Sequence, residues 1–121
     1  MKDFLKNIGV LSKIEFDIEE VGEPMPFRWG KCKLATASFG HGITTTLLQL
    51  SKGYSIISNG GFNIKPTLIK REAKESEKIR ILNTEVSKKI NPILRKIVST
   101  KEGTANFANI KGYEVGGKTG T

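Results

Sequence analysis

Cysteine is nearly missing from this chain: Cys32 stands alone among 121 residues, so no internal disulfide and no cysteine-based zinc cluster can be built. Neither a neighbouring histidine nor a helix N-terminus is expected beside Cys32 to activate its thiol, which therefore reads as inert. Histidine is equally scarce. His41 lies between Gly40 and Gly42 without an acidic or histidine partner nearby, and reads as a loop residue, not as a base or metal ligand. No apolar run approaches the ~20 residues of a membrane-spanning helix, so no span is expected. The stretch from Met1 to Asn7 lacks the apolar core and small-residue cleavage site of a secretory signal, and the chain as it stands is expected to stay in the cytoplasm. Aromatic residues number nine, six Phe, two Tyr and one Trp. They are scattered, which disfavours the interleaving of aromatics and cations that single-stranded nucleic acid requires.

Positive charge is what the chain has in excess, 20 Lys and Arg against 12 Asp and Glu. A net charge of +8 raises nucleic acid or an acidic surface as a partner, since clustered cations gain affinity by displacing counterions. The local groups Lys70-Arg71, Lys78 with Arg80, and Lys88-Lys89 have Glu72, Glu75, Glu77 and Glu85 among them, the mark of a solvated face. Hydrophobic residues make up 37%, ordinary for a globular sequence. A folded chain of this length is expected to bury roughly two-thirds of its unfolded surface, which suits one small domain.

Periodicity places the elements. Residues 3–8 carry apolar side chains at 4, 5 and 8 before Gly9, a last helical turn with a glycine cap. From Val10 to Lys33, Gly22, Pro24, Pro26 and Gly30 break regular structure, and a packed loop anchored by Phe27 and Trp29 is expected. Thr46 is an N-cap for a helix whose apolar positions 47, 48, 50, 54, 56 and 57 form a broad stripe, with Tyr54 in the core, ending at Asn59-Gly60-Gly61. A strand is expected over 62–70, with Pro66 at an edge. A solvated turn at 71–78 and a short strand at 79–82 follow. Asn83 or Thr84 caps a second helix to about Ser99, with apolar positions 86, 90, 93, 94, 97 and 98 and with Pro92 inside it. A loop starts at Gly103-Thr104-Ala105. The chain closes on a glycine-rich strand over 113–121, where missing side chains would let another backbone approach an edge.

That closing strand contains Gly117-Lys118-Thr119-Gly120-Thr121. Upstream stand Phe39-Gly40-His41-Gly42-Ile43, Thr46, Leu48-Gln49-Leu50, Asn59-Gly60-Gly61, Pro66, Gly103-Thr104-Ala105 and Gly112-Tyr113. In this order and spacing the residues resemble the C-terminal transpeptidase region of class B penicillin-binding proteins, and the Phe-Gly-His-Gly form is more similar to the cell-division, septal type. The likeness covers residues 30–121 well and residues 4–11 more loosely. It departs at Leu47, where proline usually follows the threonine.

The resemblance implies an α+β fold, serine β-lactamase-like, with helices packed on an antiparallel sheet. It implies a bacterial cell-wall enzyme that cross-links peptidoglycan stem peptides: a serine attacks a D-Ala-D-Ala carbonyl, releases D-Ala and passes the acyl group to an amine. β-Lactams acylate the same serine, and no cofactor or metal is implied. Lys118 would join the active-site hydrogen-bond network, the Thr119 and Thr121 hydroxyls would hold the substrate carboxylate, Gly120 would keep the strand unobstructed, and the Thr121 N–H would be one oxyanion donor. Cell-division proteins would be partners of the whole protein, at the membrane with its catalytic domain outside the cytoplasm.

The nucleophile motif Ser-x-x-Lys and the polar motif Ser-x-Asn are missing. None of Ser12, Ser38, Ser51, Ser55, Ser58, Ser76, Ser87 and Ser99 has lysine three positions on or asparagine two positions on. The expected unit, residues 1–121, is therefore a partial transpeptidase domain without its nucleophile, truncated at the Lys-Thr-Gly strand and inactive alone. Two alternatives stand beside it: a small basic protein binding nucleic acid or an acidic partner, and a gene remnant without function.

Overall fold

The computed structural model describes residues 1–19, 22, 25–26, 28–70 and 79–120. Its elements are α1 (Lys2–Asn7), α2 (Lys33–Ala37), α3 (Leu47–Ser58), α4 (Thr84–Ser99) and a 3-10 turn over Asn106–Ala108. Helix α1 ends as its glycine foretells. Gly9 adopts φ 84°, its N–H donates to Lys6 O, and that of Val10 donates to Leu5 O, the paired closure that satisfies the last carbonyls.

Helix α3 begins with a reciprocal cap. Thr46 Oγ1 accepts from Gln49 N at 3.2 Å, and Gln49 Oε1 accepts from Thr46 N at 2.7 Å, so two orphan donors are satisfied at once. Gln49 is 1% exposed and its Nε2 donates to Ser12 O at 2.6 Å, which ties the loop after α1 to α3. Asn59 closes the far end, its side chain accepting from Gly61 N and Phe62 N. Helix α4 is capped by Asn83, which accepts from Glu85 N, and it runs through Pro92 without interruption. Asn91 Nδ2 reaches Ser58 O at 3.4 Å, joining α4 to the end of α3.

The core lies where these two helices meet and where the flanking loops close on them. Ile56, Val98, Ile14, Ala105, Ile8 and Ala37 are its buried apolar residues. On α3 the buried positions are Gln49, Gly53 and Ile56, a face that keeps Ile56 from the expected stripe and is otherwise rotated from it. Leu47, Leu50 and Tyr54 are exposed, which corrects the expectation that Tyr54 packs in the core. On α4, Ser87 and Val98 point inward while Val86 and Ile93 are exposed.

Among the described residues no strand ladder forms, so the expected antiparallel sheet is not seen. Phe62 and Arg80 make one isolated antiparallel bridge, supported by Asn63 N donating to Ile79 O and Ile81 N to Gly61 O. Arg80 lies 4.2 Å over the Phe62 ring and donates to Gly60 O and to Thr84 Oγ1. Beyond Asn63 the 62–70 segment follows side chains instead of a strand: Asp17 accepts from Thr67 Oγ1 and Leu68 N, and Lys65 pairs with Glu15. Pro66 supplies no N–H to a ladder there. Residues 113–120 are extended but have a helix, not a strand, beside them. The turn expected at 71–78 lies outside the described residues.

Two further expectations are revised. Cys32, exposed, is the N-cap of α2, so a helix start does stand beside it; five residues are too few for periodicity to reveal. Among the described residues of the 10–33 loop, Ile14 is buried while Gly22, Met25, Pro26 and Arg28 are exposed. Trp29 is half-buried, as an anchor requires, and Phe27 lies outside the described residues. No described helix is long and apolar enough to cross a membrane.

Candidate functional site

The C-terminal half of α4 is the platform on which residues 113–120 rest. Gly103 lies against the end of the helix, and Ala105 N donates to Ile97 O at 3.2 Å, turning the chain back along α4. Asn106 Nδ2 closes this turn on Thr100 O at 2.9 Å. After the 3-10 turn, Tyr113 N donates to Ile110 O and the chain becomes extended. It then crosses α4: Arg95 Nη1 donates to Val115 O at 2.8 Å, and Gly117 N donates to Leu94 O at 3.1 Å.

Exposure alternates along the segment. Val115, Gly117 and Thr119 are half-buried, while Glu114, Gly116, Lys118 and Gly120 are exposed, an alternation in accessibility with the period of an extended chain. Lys118 is exposed. Its Nζ donates to Thr119 O at 2.8 Å and to Thr119 Oγ1 at 2.8 Å, so the ammonium and the hydroxyl of adjacent residues converge. Thr104 Oγ1 lies 3.5 Å from Thr119 Oγ1, bringing the Gly103-Thr104-Ala105 loop to the same point. An exposed cation beside two hydroxyls suits a carboxylate.

The structure therefore brings together Lys118 and Thr119 and places Gly120 next to them in the open; Thr121 lies outside the described residues. Three supporting residues escaped the sequence reading: Thr104 as a contact of Thr119, and Arg95 and Asn109 as the anchor of the approach, with Arg95 Nη1 donating to Asn109 Oδ1 at 3.2 Å. Arg95 falls between apolar positions 94 and 97 of α4, and a cation at such a place is the one available signal. Beside the segment runs an open groove of about 1000 Å³ between α3 and α4, lined by Tyr54, Ser58, Pro92, Leu94, Arg95 and Glu114 among others. His41 is remote from this in its contacts. Its N–H donates to Thr36 O and its ring faces Phe39 at 6.3 Å, which fits a loop role. Among the described residues no group of three His, Cys, Asp or Glu could hold a metal.

Comparison with known proteins bears on the family and the fold. The profile of the family described as the penicillin binding protein transpeptidase domain matches residues 1–121. A relative from Neisseria flavescens, named "Probable peptidoglycan D,D-transpeptidase PenA", is 30% identical over 100% of this chain and 30% of its own length. The protein from Caulobacter vibrioides named "Probable peptidoglycan D,D-transpeptidase FtsI" is 29% identical over 100% of this chain and 21% of its own length. The chain thus spans between a fifth and a third of these curated relatives. Among solved structures, a peptidoglycan glycosyltransferase from Burkholderia ambifaria aligns with a TM-score of 0.88 at 23% identity, covering 99% of this chain and 39% of that one. Penicillin binding protein 3 from Mycobacterium tuberculosis, complexed with aztreonam, aligns with a TM-score of 0.79 at 23% identity, covering 93% of this chain and 29% of that one. These structural likenesses concern the fold.

Proposed function

Since the chain belongs to the family of class B penicillin-binding protein transpeptidase domains, we propose that residues 118–121 form the carboxylate-binding half of its acyl-transfer site. The observation that carries this is the exposed Lys118 with Thr119 beside it, held on α4 next to an open groove. In this reading the Lys118 ammonium and the Thr119 and Thr121 hydroxyls receive the terminal carboxylate of a D-Ala-D-Ala stem peptide. Gly120 leaves room along the segment, and the Thr121 N–H faces the carbonyl that gains charge during acyl transfer. A fixed N–H there stabilises the developing oxyanion, and loss of such a donor costs on the order of 3 kcal/mol.

The nucleophile belongs to a Ser-x-x-Lys region outside these residues, as the share of the relatives that the chain covers supports. Residues 1–121 are then part of a transpeptidase domain. The extended segment over 113–120 would become part of a strand of an antiparallel sheet when further strands lie beside it, which its alternating exposure supports. The whole protein would cross-link stem peptides outside the cytoplasm, working with cell-division proteins. It would react with β-lactams through the absent serine; the aztreonam complex of the Mycobacterium protein supports that ligand class.

Two measurements test the reading. Titration of the labelled chain with an N-acylated D-alanyl-D-alanine peptide should shift the amide resonances of Lys118, Thr119 and Gly120, and Lys118→Ala should remove the response. The same peptide ending in an amide should leave the resonances in place, and equal shifts with acid and amide would refute carboxylate recognition. Because no serine here carries the nucleophile motif, a fluorescent β-lactam should leave the chain unlabelled. Time-dependent acylation that is lost on denaturation would overturn the assignment of the nucleophile to another region.

A further inference from the structure

Arg95 takes no part in the chemistry just described, yet it makes the contacts that decide how residues 113–120 lie on α4. Its Nη1 donates at 2.8 Å to Val115 O and at 3.2 Å to Asn109 Oδ1, so one guanidinium grips both the entry to the extended segment and the turn before it. One residue earlier on the helix, Leu94 O accepts from Gly117 N at 3.1 Å. Between the two held residues, Gly116 lies flat on the helix: a Cβ there would meet Arg95 N at 3.3 Å and the Leu94 carbonyl carbon at 3.4 Å.

We infer that Arg95 is a positioning residue that sets the register of the Lys118-Thr119-Gly120 segment. The argument rests on the period of two. Val115 and Gly117 turn their backbone groups to α4, while Lys118 is exposed and Thr119 lies by Thr104. A slip by one residue would exchange the two faces of the whole segment and carry Thr119 away from Thr104. One amide bond from Gly117 to Leu94 is a weak guard against that. A charged donor fork on a carbonyl is stronger, and its planar geometry reaches two acceptors that a lysine ammonium serves less well.

This inference deepens the carboxylate-site reading and rests on it for its functional meaning, but its geometric part is tested independently. In the labelled wild-type chain, the Gly117 amide should exchange with solvent deuterium at least about tenfold more slowly than that of Gly120, for which no such bond forms among the described residues. Arg95→Gln should bring the Gly117 rate at least about tenfold closer to the unprotected value, while Ile56 and Val98, in the core, keep theirs. Arg95→Lys should recover part of the protection, and Asn109→Ala should lose less than Arg95→Gln. In the peptide titration, Arg95→Gln should weaken the Lys118 and Thr119 response about tenfold.

An unprotected Gly117 in the wild type overturns the inference without any variant. So does a Gly117 rate unchanged by Arg95→Gln with Ile56 intact. If Arg95→Gln also exposes Ile56, the graded order of Arg95→Lys and Asn109→Ala at Gly117 decides, and absence of that order overturns it. A wild-type chain that protects Gly117 but ignores the peptide would sink the carboxylate reading alone.

Discussion

A methyl group built on Gly61 would lie 2.1 Å from Leu82 O, and one on Gly103 would lie 2.1 Å from Ile97 O. Both obstacles are backbone, so relief requires the main chain to move. At Gly61 the φ of 98° adds strain that an L side chain rarely accepts. Gly40 is the matched control: it has φ 83° but nothing within 4 Å, so only the conformational term applies. Gly40→Ala should cost about 1 kcal/mol, whereas Gly61→Ala and Gly103→Ala should each cost about 2–3 kcal/mol or more, as overpacking against fixed atoms does. Urea midpoints of the three variants measure this, and equal losses at Gly40 and Gly61 would contradict the close contact. The same logic separates Lys118 from these glycines. Its side chain is exposed and among the described residues bonds only to its neighbour, so Lys118→Ala should change stability by less than about 0.5 kcal/mol while abolishing the peptide response.

Helix α4 carries the proposed site, and its two unusual residues have opposite effects. Asn83 caps the first turn, and Asn83→Ala should cost about 1 kcal/mol. Pro92 lies inside the helix, where it withholds one N–H and crowds the preceding turn. Pro92→Ala should therefore stabilise the chain, by up to about 3 kcal/mol. Thermal melts of the two variants should move in opposite directions, and a lower melting temperature for Pro92→Ala would show that the ring packs in the α3–α4 groove more usefully than it disturbs the helix. These ends were legible in the sequence because capping is local: Thr46, Asn83, Asn59 and Gly9 each act within a few residues of themselves. Faces were less legible. Leu47, Leu50 and Tyr54 belong to the apolar stripe of α3 by spacing and are exposed, whereas Ile56 of that stripe is buried together with Gln49 and Gly53, which the residues from Ile8 to Ser12 cover. Strands were least legible, because a ladder needs a partner whose placement no local pattern states; Val115 to Gly117 found the flank of α4 instead. Lys118 and Thr119 were legible from their motif, while Arg95 was not, since its partners lie 14 and 20 residues away.

The accessible surface of the chain is 9641 Å², whereas a compact monomer of this mass exposes about 6,500 Å². Folding thus removes about half of the unfolded surface instead of the two-thirds expected for the length. The excess is apolar in good part: Leu47, Leu50 and Tyr54 on α3, Ile93 on α4, and Phe107, Ile110 and Tyr113 before the site are all exposed. Because the urea dependence of stability scales with the surface uncovered on unfolding, the slope should be about three-quarters of that of a compact protein of equal length. The exposed faces should also bind a hydrophobic dye such as ANS under native conditions. Addition of the segment of a homologous transpeptidase domain that carries Ser-x-x-Lys should suppress the dye signal and raise the urea slope together, since both report the same uncovered area. A full-sized slope with no dye binding would mean that the chain in solution has already covered these faces, and self-association measured by sedimentation would then identify a second copy as the cover.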